Sequence, residues 1–483
     1  SQNLQSFLPF GAFPLVKLLY RWHNLTPLAD ILQRILQYCM DTLSLRPARF
    51  FLNLPAGLVK NKTQIPKREM VELVCNTYYL RYLLLEGKAK EAQKLVSAKI
   101  TQITFSYTAD PIYADLHLQL SRYFLTQRET DNAVKEAKKA ALAFQELSFT
   151  EKMSESYLEL GQALLAKGSI FEALEYFEFT RKFSSETKSR VLQAKAYLLK
   201  SITLFFIGNY TQALHNLHSG IALSEAHGLR QFEHLLFFIK GRIQFDLGLY
   251  HDARVIFEQC LALVRAFSQK GCNTVLKAWI ARTYVYVEEY EAAFRILDTL
   301  PENRETLFFR AELNLIQNKH NKAIKLIDKA LGIKEKHDLF FSERFSWKNG
   351  FSMIEDRRFD LCRNGSALLR RLKAFKAYSG CFTGHLKEGL NELHTVTIRE
   401  KLPAYEPYAH LYFFLYYLIL TRCSVPKDPD SDIADSLTVL NLALKHLQER
   451  STAIDQPRQR IHYLSKNYWN KLLFQQAKQN KLV

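Results

Sequence analysis

The chain has 483 residues and carries 66 Lys and Arg against 48 Asp and Glu, which gives a formal net charge of +18. Hydrophobic residues make up 48% and charged residues 24%, an ordinary globular composition that excludes wholesale disorder. Glycine and proline number only 17 and 13, which favours long helices with short connections over an all-β fold.

The first 66 residues are typical of short helices separated by breaks. Thr26 can act as an N-cap for a helix that has Pro27 at its first position. We interpret 1–66 as an N-terminal helical cap or as the tail of an upstream domain. The chain begins at Ser1 without methionine, so we expect a processed form or an excised fragment, and an upstream signal peptide remains open.

A six-residue phrase recurs three times in the middle of the chain, at Gly168–Ala173, Gly208–Ala213 and Gly248–Ala253. In each copy an apolar residue follows four positions after the alanine, and a small residue precedes it by twelve. The glycine predicts a left-handed end to a first helix, and the small residues predict a close helix crossing. Each phrase therefore predicts the turn of an antiparallel helix pair.

The phrase can be extended in both directions along the chain. Its alanines fall at Ala92, Ala133, Ala173, Ala213, Ala253, Ala293 and Ala323. Five of the six intervals are 40 or 41 residues, and the last is 30, which predicts shorter helices there. The pattern resembles the tetratricopeptide repeat (TPR), whose period is about 34 residues. The resemblance implies an all-α, right-handed TPR-like α-solenoid of antiparallel helix pairs over 67–332, with a period near 40.

The repeat pattern stops after residue 332. The segment 333–366 is rich in aromatic residues, and we interpret it as a plug over one end of the array or as a binding element for another protein. Helical pairs resume over 367–483 and end in a basic amphipathic helix. This C-terminus and Trp347–Asp356 weakly resemble the tails of large bacterial, spirochaete-type multidomain TPR proteins.

No catalytic, cofactor-binding or metal-binding motif was found, so we expect a protein that is not an enzyme and holds no cofactor. The longest apolar run, Leu411–Leu420, is half of the about 20 residues that a membrane-spanning helix needs. Seven cysteines without a C-x-x-C pair favour a disulfide-independent protein. A cytoplasmic location is favoured, and a periplasmic one stays open.

The TPR resemblance also implies a binding groove. In TPR folds the first helix of each pair lines the groove, and the position eleven before the alanine faces it. The equivalent positions here are Arg81, Arg122, Gln162, Ile202, Arg242, Arg282 and Glu312. The apolar residues that we expect beside them are Phe205, Phe206, Phe238, Phe245 and Tyr286. The four arginines are predicted to bind a partner's carboxylates or phosphates. Alternatively, each pairs with an acid on the adjacent helix and holds the repeats together.

The predicted function is therefore a non-catalytic protein–protein interaction scaffold that binds segments of a partner with acidic character in a TPR groove. One alternative is a regulatory or sensor region of a larger bacterial signalling or transcriptional protein, or a scaffold of a membrane-associated or motility assembly. Another is a basic solenoid that binds nucleic acid. The sequence leaves the partner and the oligomeric state open.

Overall fold

A computed structural model describes residues 31–33, 35–36, 52, 68–100, 110–266, 270–333, 367–399, 402, 406–422 and 435–483. Most of the predicted cap 1–66, and all but the first residue of the aromatic segment 333–366, lie outside the described residues. The regular elements within the described ranges are helices, and no strand occurs among them.

The chain divides into two compact units. The first comprises residues 1–167 with 337–347, and the second comprises 168–336 with 348–483. The division falls inside the predicted array 67–332, and the four predicted domains stay a prediction.

The described part of the first unit contains five helices. Asp110 begins one of them, because its carboxylate accepts a hydrogen bond from the Ile112 N–H at 3.0 Å and Pro111 needs no partner at the first position. The helices are α1 (Arg68–Glu86), α2 (Ala89–Leu95, continued by a π-helical turn Val96–Ile100), α3 (Pro111–Gln127), α4 (Thr130–Glu146) and α5 (Thr150–Lys167).

The second unit begins with nine helices of the repeat pattern. They are α6 (Ile170–Glu186), α7 (Arg190–Ile207), α8 (Tyr210–Ala226), α9 (Arg230–Asp246), α10 (Tyr250–Ala266), α11 (Lys270–Tyr286), α12 (Tyr290–Asp298), α13 (Arg304–Ile316) and α14 (His320–Gly332). The first six have 17 or 18 residues, whereas the last three have 9, 13 and 13. The shorter helices lie where the interval between the repeat alanines falls to 30 residues.

Six further helices complete the second unit. They are α15 (Ala367–Cys381), α16 (Leu386–His394, with a π-helical turn Thr395–Arg399), α17 (Ala409–Arg422), α18 (Ser436–Thr452), α19 (Pro457–Ser465) and α20 (Tyr468–Gln479). Helix α17 is apolar on all sides and is buried between its neighbours over most of its length. None of the helices in the described ranges combines the length and the apolar character needed to cross a membrane.

The repeat phrase has one local structure throughout. The residue five positions before each repeat alanine adopts a positive φ; these residues are Gly87, Arg128, Gly168, Gly208, Gly248, Glu288 and Asn318. All seven repeat alanines are fully buried. The small residue at Gly241 is required by packing, since a Cβ there would lie 2.6 Å from the Phe257 ring. The turn and the crossing are therefore formed as the sequence predicts.

Candidate partner-binding surface

The predicted groove arginines of the first unit are buried against glutamates. Arg122 donates from Nε to Glu159 Oε1 at 2.9 Å and from Nη2 to Glu155 Oε1 at 2.9 Å. Burial alone would raise the pKa of the Glu155 carboxyl, but the charges of Lys152, Arg122 and Arg81 hold that pKa well below its usual range. These contacts join α3 to α5 and bring Arg81 and Arg122 into one charged cluster.

Arg282 forms the corresponding ion pair of the second unit. It donates from Nε and Nη2 to the two carboxylate oxygens of Glu312, at 2.7 and 2.9 Å. The Tyr286 hydroxyl donates a third hydrogen bond to Glu312, at 2.7 Å. Both members of the ion pair are almost completely buried, so the pair joins α11 to α13 inside the unit.

Arg242 is buried between aromatic rings. Its guanidinium lies 4.0 Å from the centre of the Trp279 ring and 5.3 Å from that of Phe205. The other predicted apolar residues are also covered: Phe238 and Phe245 are buried, while Phe206 and Tyr286 are half-buried. The contacts of Arg122 and Arg282 thus match the alternative in which arginines hold adjacent helices together. The partner-binding role of the nine predicted residues stays a prediction.

A part of the chain far away in sequence lies against the predicted groove of the second unit. We call the groove surface formed by Phe206, Tyr210, Asp246, Tyr250 and Tyr286 the inner face. Arg450 at the end of α18, Tyr463 of α19 and residues 467–469 around the start of α20 contact it, and residues 450–470 are called the returning segment. Sequence reasoning did not identify this contact.

Arg450 binds the repeat turn at Gly208. Its Nη1 donates to the Phe206 carbonyl at 2.9 Å, and its Nη2 donates to the Tyr210 hydroxyl at 3.1 Å. The Tyr210 hydroxyl in turn donates to Asp246 Oδ2 at 3.1 Å. A cation at the last carbonyls of α7 satisfies acceptors that have no partner within the helix and complements the negative end of its dipole.

Asn467 and Tyr468 bind the repeat turn at Gly248. Asn467 Nδ2 donates to the Asp246 carbonyl at 2.9 Å, and the Tyr468 N–H donates to the Tyr250 hydroxyl at 2.9 Å. Asn467 Oδ1 also accepts from the Asn470 N–H at 3.3 Å, so the same side chain caps the start of α20 and the end of α9. Asn467 thus provides hydrogen-bond partners for polar backbone groups at the end of α9 and at the start of α20.

Aromatic residues contact the repeat turn at Glu288. Trp469 Nε1 donates to the Tyr286 hydroxyl at 3.3 Å, and the Tyr468 ring packs edge-on against the Tyr286 ring. Tyr463 packs similarly against Tyr210. The sequence contained one signal for this surface: Tyr210 and Tyr250 each lie two residues after the left-handed position of successive repeats. Because that tyrosine is also a TPR feature, it did not single out a binding surface.

A cavity of about 40 Å³ remains between the inner face and the C-terminal helices. A buried water needs roughly 10–15 Å³ of such volume, so this space is large enough for a few waters and too small for a peptide. Its lining includes the Arg282–Glu312 pair, Arg450 and His410. Burial, reinforced by the charges of Arg450 and His446, lowers the pKa of His410 to about 3, so this imidazole is neutral near pH 7.

The outward side of α19 and α20 is basic. No acidic residue occurs from 458 to 483. The exposed cations of this stretch, which we call the basic face, are Arg458, Lys466, Lys471, Lys478 and Lys481. Within the described part of the chain, no group of three or more His, Cys, Asp or Glu side chains could hold a metal ion.

Comparison with known proteins supports the helical-repeat fold. The chain is 20% identical over 419 residues to a TPR repeat-containing protein of Treponema pallidum (strain Nichols), covering 79% of this chain. The crystal structure of apo RapI superposes with a TM-score of 0.55 at 10% identity, over 82% of this chain and 98% of RapI. The fold is that of a TPR-like helical solenoid.

Two further matches concern parts of the chain. The profile of a C-terminal domain family, TP_0123_C, matches residues 361–481, which include α15 to α20. The apo quorum sensor NprR from B. thuringiensis matches with a TM-score of 0.49 at 14% identity, over 76% of this chain and 96% of NprR. The chain spans only 48% of the length of the treponemal relative.

Proposed function

We propose that this protein is a non-catalytic interaction scaffold that binds an acidic protein segment on its basic face. A TPR-like solenoid supplies a rigid surface, and protein binding is the general use of such surfaces. The observation that supports the acidic partner is the run of exposed cations on α19 and α20 without a carboxylate between 458 and 483. Electrostatic attraction of this kind steers encounter and suppresses partners of like charge.

The basic face suits this role better than the four predicted groove arginines do. Arg122 and Arg282 already have glutamate partners, and reaching them would require breaking buried ion pairs. The side chains of the basic face are exposed, so they can pair with a partner's carboxylates without any rearrangement.

The test is an affinity pull-down with the intact protein and two variants of equal charge. In the first variant Lys466, Lys471, Lys478 and Lys481 become Gln; in the control the exposed Lys135, Lys138, Lys322 and Lys325 become Gln. Each set lowers the formal net charge of +18 by four. We expect capture of the protein partner to fall at least tenfold for the first variant and to remain unchanged for the control.

Two results would contradict the proposal. Equal capture by both variants would show that the basic face does not bind the partner. Retention of RNA or DNA near physiological salt, with affinity falling steeply as salt rises, would replace the acidic protein by nucleic acid.

A further inference from the structure

Two interfaces inside the second unit differ in their chemistry. Neighbouring repeats meet through fully buried side chains such as Ala213, Phe257 and Leu297. The inner face meets the returning segment through tyrosine, arginine, tryptophan and asparagine, with water-sized space between them. Tyrosine, tryptophan and arginine are the residues that dominate protein–protein recognition surfaces. The second interface therefore has the composition of a binding site within one chain.

The hydrogen bonds of this interface run mainly in one direction. The returning segment supplies the donors, which are the Arg450 guanidinium, the Asn467 amide, the Tyr468 N–H and the Trp469 indole. The inner face supplies acceptors, which are the last carbonyls of two helices and the tyrosine hydroxyls. A helix N-terminus has free N–H groups and a positive dipole end, so it matches these acceptors.

The repeat turn at Gly248 lets the backbone of such a helix approach closely. A Cβ at this position would lie 2.3 Å from the Asn467 nitrogen and 2.3 Å from the Lys466 carbonyl carbon. Glycine is required here for contact as well as for its positive φ of 77°.

We propose that the inner face is a binding site for a helix N-terminus with an asparagine cap followed by aromatic residues, and that residues 450–470 occupy it in cis. A partner protein that carries such a helix binds by displacing the returning segment. A tethered ligand acts at an effective concentration of about the millimolar range, so the intact chain excludes dilute competitors. This inference does not depend on the acidic partner of the basic face.

The test uses a fluorescent synthetic peptide of residues 453–481 titrated onto the full-length chain. Asn467→Ala removes the amide contact to Asp246 and the cap of α20, so the internal segment should be released more often. We expect this variant to bind the peptide at least tenfold more tightly than the wild type. Gln475→Ala, an exposed change on the same helix and outside the basic face, should bind like the wild type.

A second substitution tests the site itself. Adding Tyr250→Phe to the Asn467→Ala chain removes the hydroxyl that accepts from Tyr468 and should weaken peptide binding at least threefold. Arg450→Gln, which lies outside the peptide, replaces Asn467→Ala if that variant does not fold. Equal peptide affinity in the wild type and the released variant, or no binding to either, would show a permanent cap and overturn the inference.

Discussion

Repeats from the two units share their packing and differ at their turns. Ala133 in the first unit and Ala253 in the second are both fully buried, and each follows a left-handed residue five positions earlier. Two residues after that left-handed position the first unit has Thr130, whereas the second has Tyr250, whose hydroxyl accepts from the returning segment. The helix crossings are thus alike because both require close packing. The residues at the turns can differ with what contacts them.

The buried groove arginines, in contrast, have similar contacts in the two units. Arg122 and Arg282 are each buried against glutamates of the next first helix. Since the same kind of ion pair occurs in both units, we assign it to packing between repeats. The turns at Gly208 and Gly248, in contrast, contact the returning segment.

The largest effect is expected from breaking the ion pair of the second unit. Glu312→Gln leaves the Arg282 guanidinium buried without its counter-charge, and this should lower the free energy of unfolding by about 3–5 kcal/mol in urea titrations. The control is Glu291→Gln, whose ion pair with Arg295 is exposed and should have no measurable effect. Similar stability of the two variants would place Arg282 among accessible side chains.

A smaller effect is expected from His410 beside the returning segment. Its pKa is lowered to about 3 in the folded protein, while an unfolded histidine has a pKa of about 6.5. As pH falls, His410 therefore takes up a proton in the unfolded state and not in the folded state. This uptake favours unfolding and should lower the free energy of unfolding by about 2 kcal/mol from pH 6.5 to pH 5. Urea titrations at both pH values should show that His410→Gln loses this part of the pH dependence. An unchanged dependence would mean that water reaches the imidazole.

Much of the fold was predictable because its determinants are local. The alanine spacing and the left-handed positions lie within one helix pair, so periodicity reveals them. The pairing of Arg282 was also within reach, since Glu312 occupies the next equivalent position along the array. The array alone leaves open whether the groove arginines face a partner or pair with an acid on the adjacent helix.

The occupied inner face could not be predicted in the same way. Arg450 contacts Phe206 across 244 residues, and Asn467 contacts Asp246 across 221. No periodic pattern links such positions. The end of the chain is predicted as one basic amphipathic helix, but the structure has two helices there, α19 and α20, because Asn467 caps the start of a new helix. The prediction of a basic helix also does not say what its other side covers.

The most direct test of the occupied inner face compares two glycines that share a backbone conformation. Gly248 and Gly228 have φ values of 77° and 63°, but a Cβ at Gly228 would meet nothing within 4 Å. Both alanine variants carry the cost of a positive φ, and only Gly248→Ala should also expel the returning segment. Hydrogen exchange of the backbone amides in residues 457–479 should become at least tenfold faster in Gly248→Ala and stay unchanged in Gly228→Ala. Equal exchange in the two variants would contradict the account.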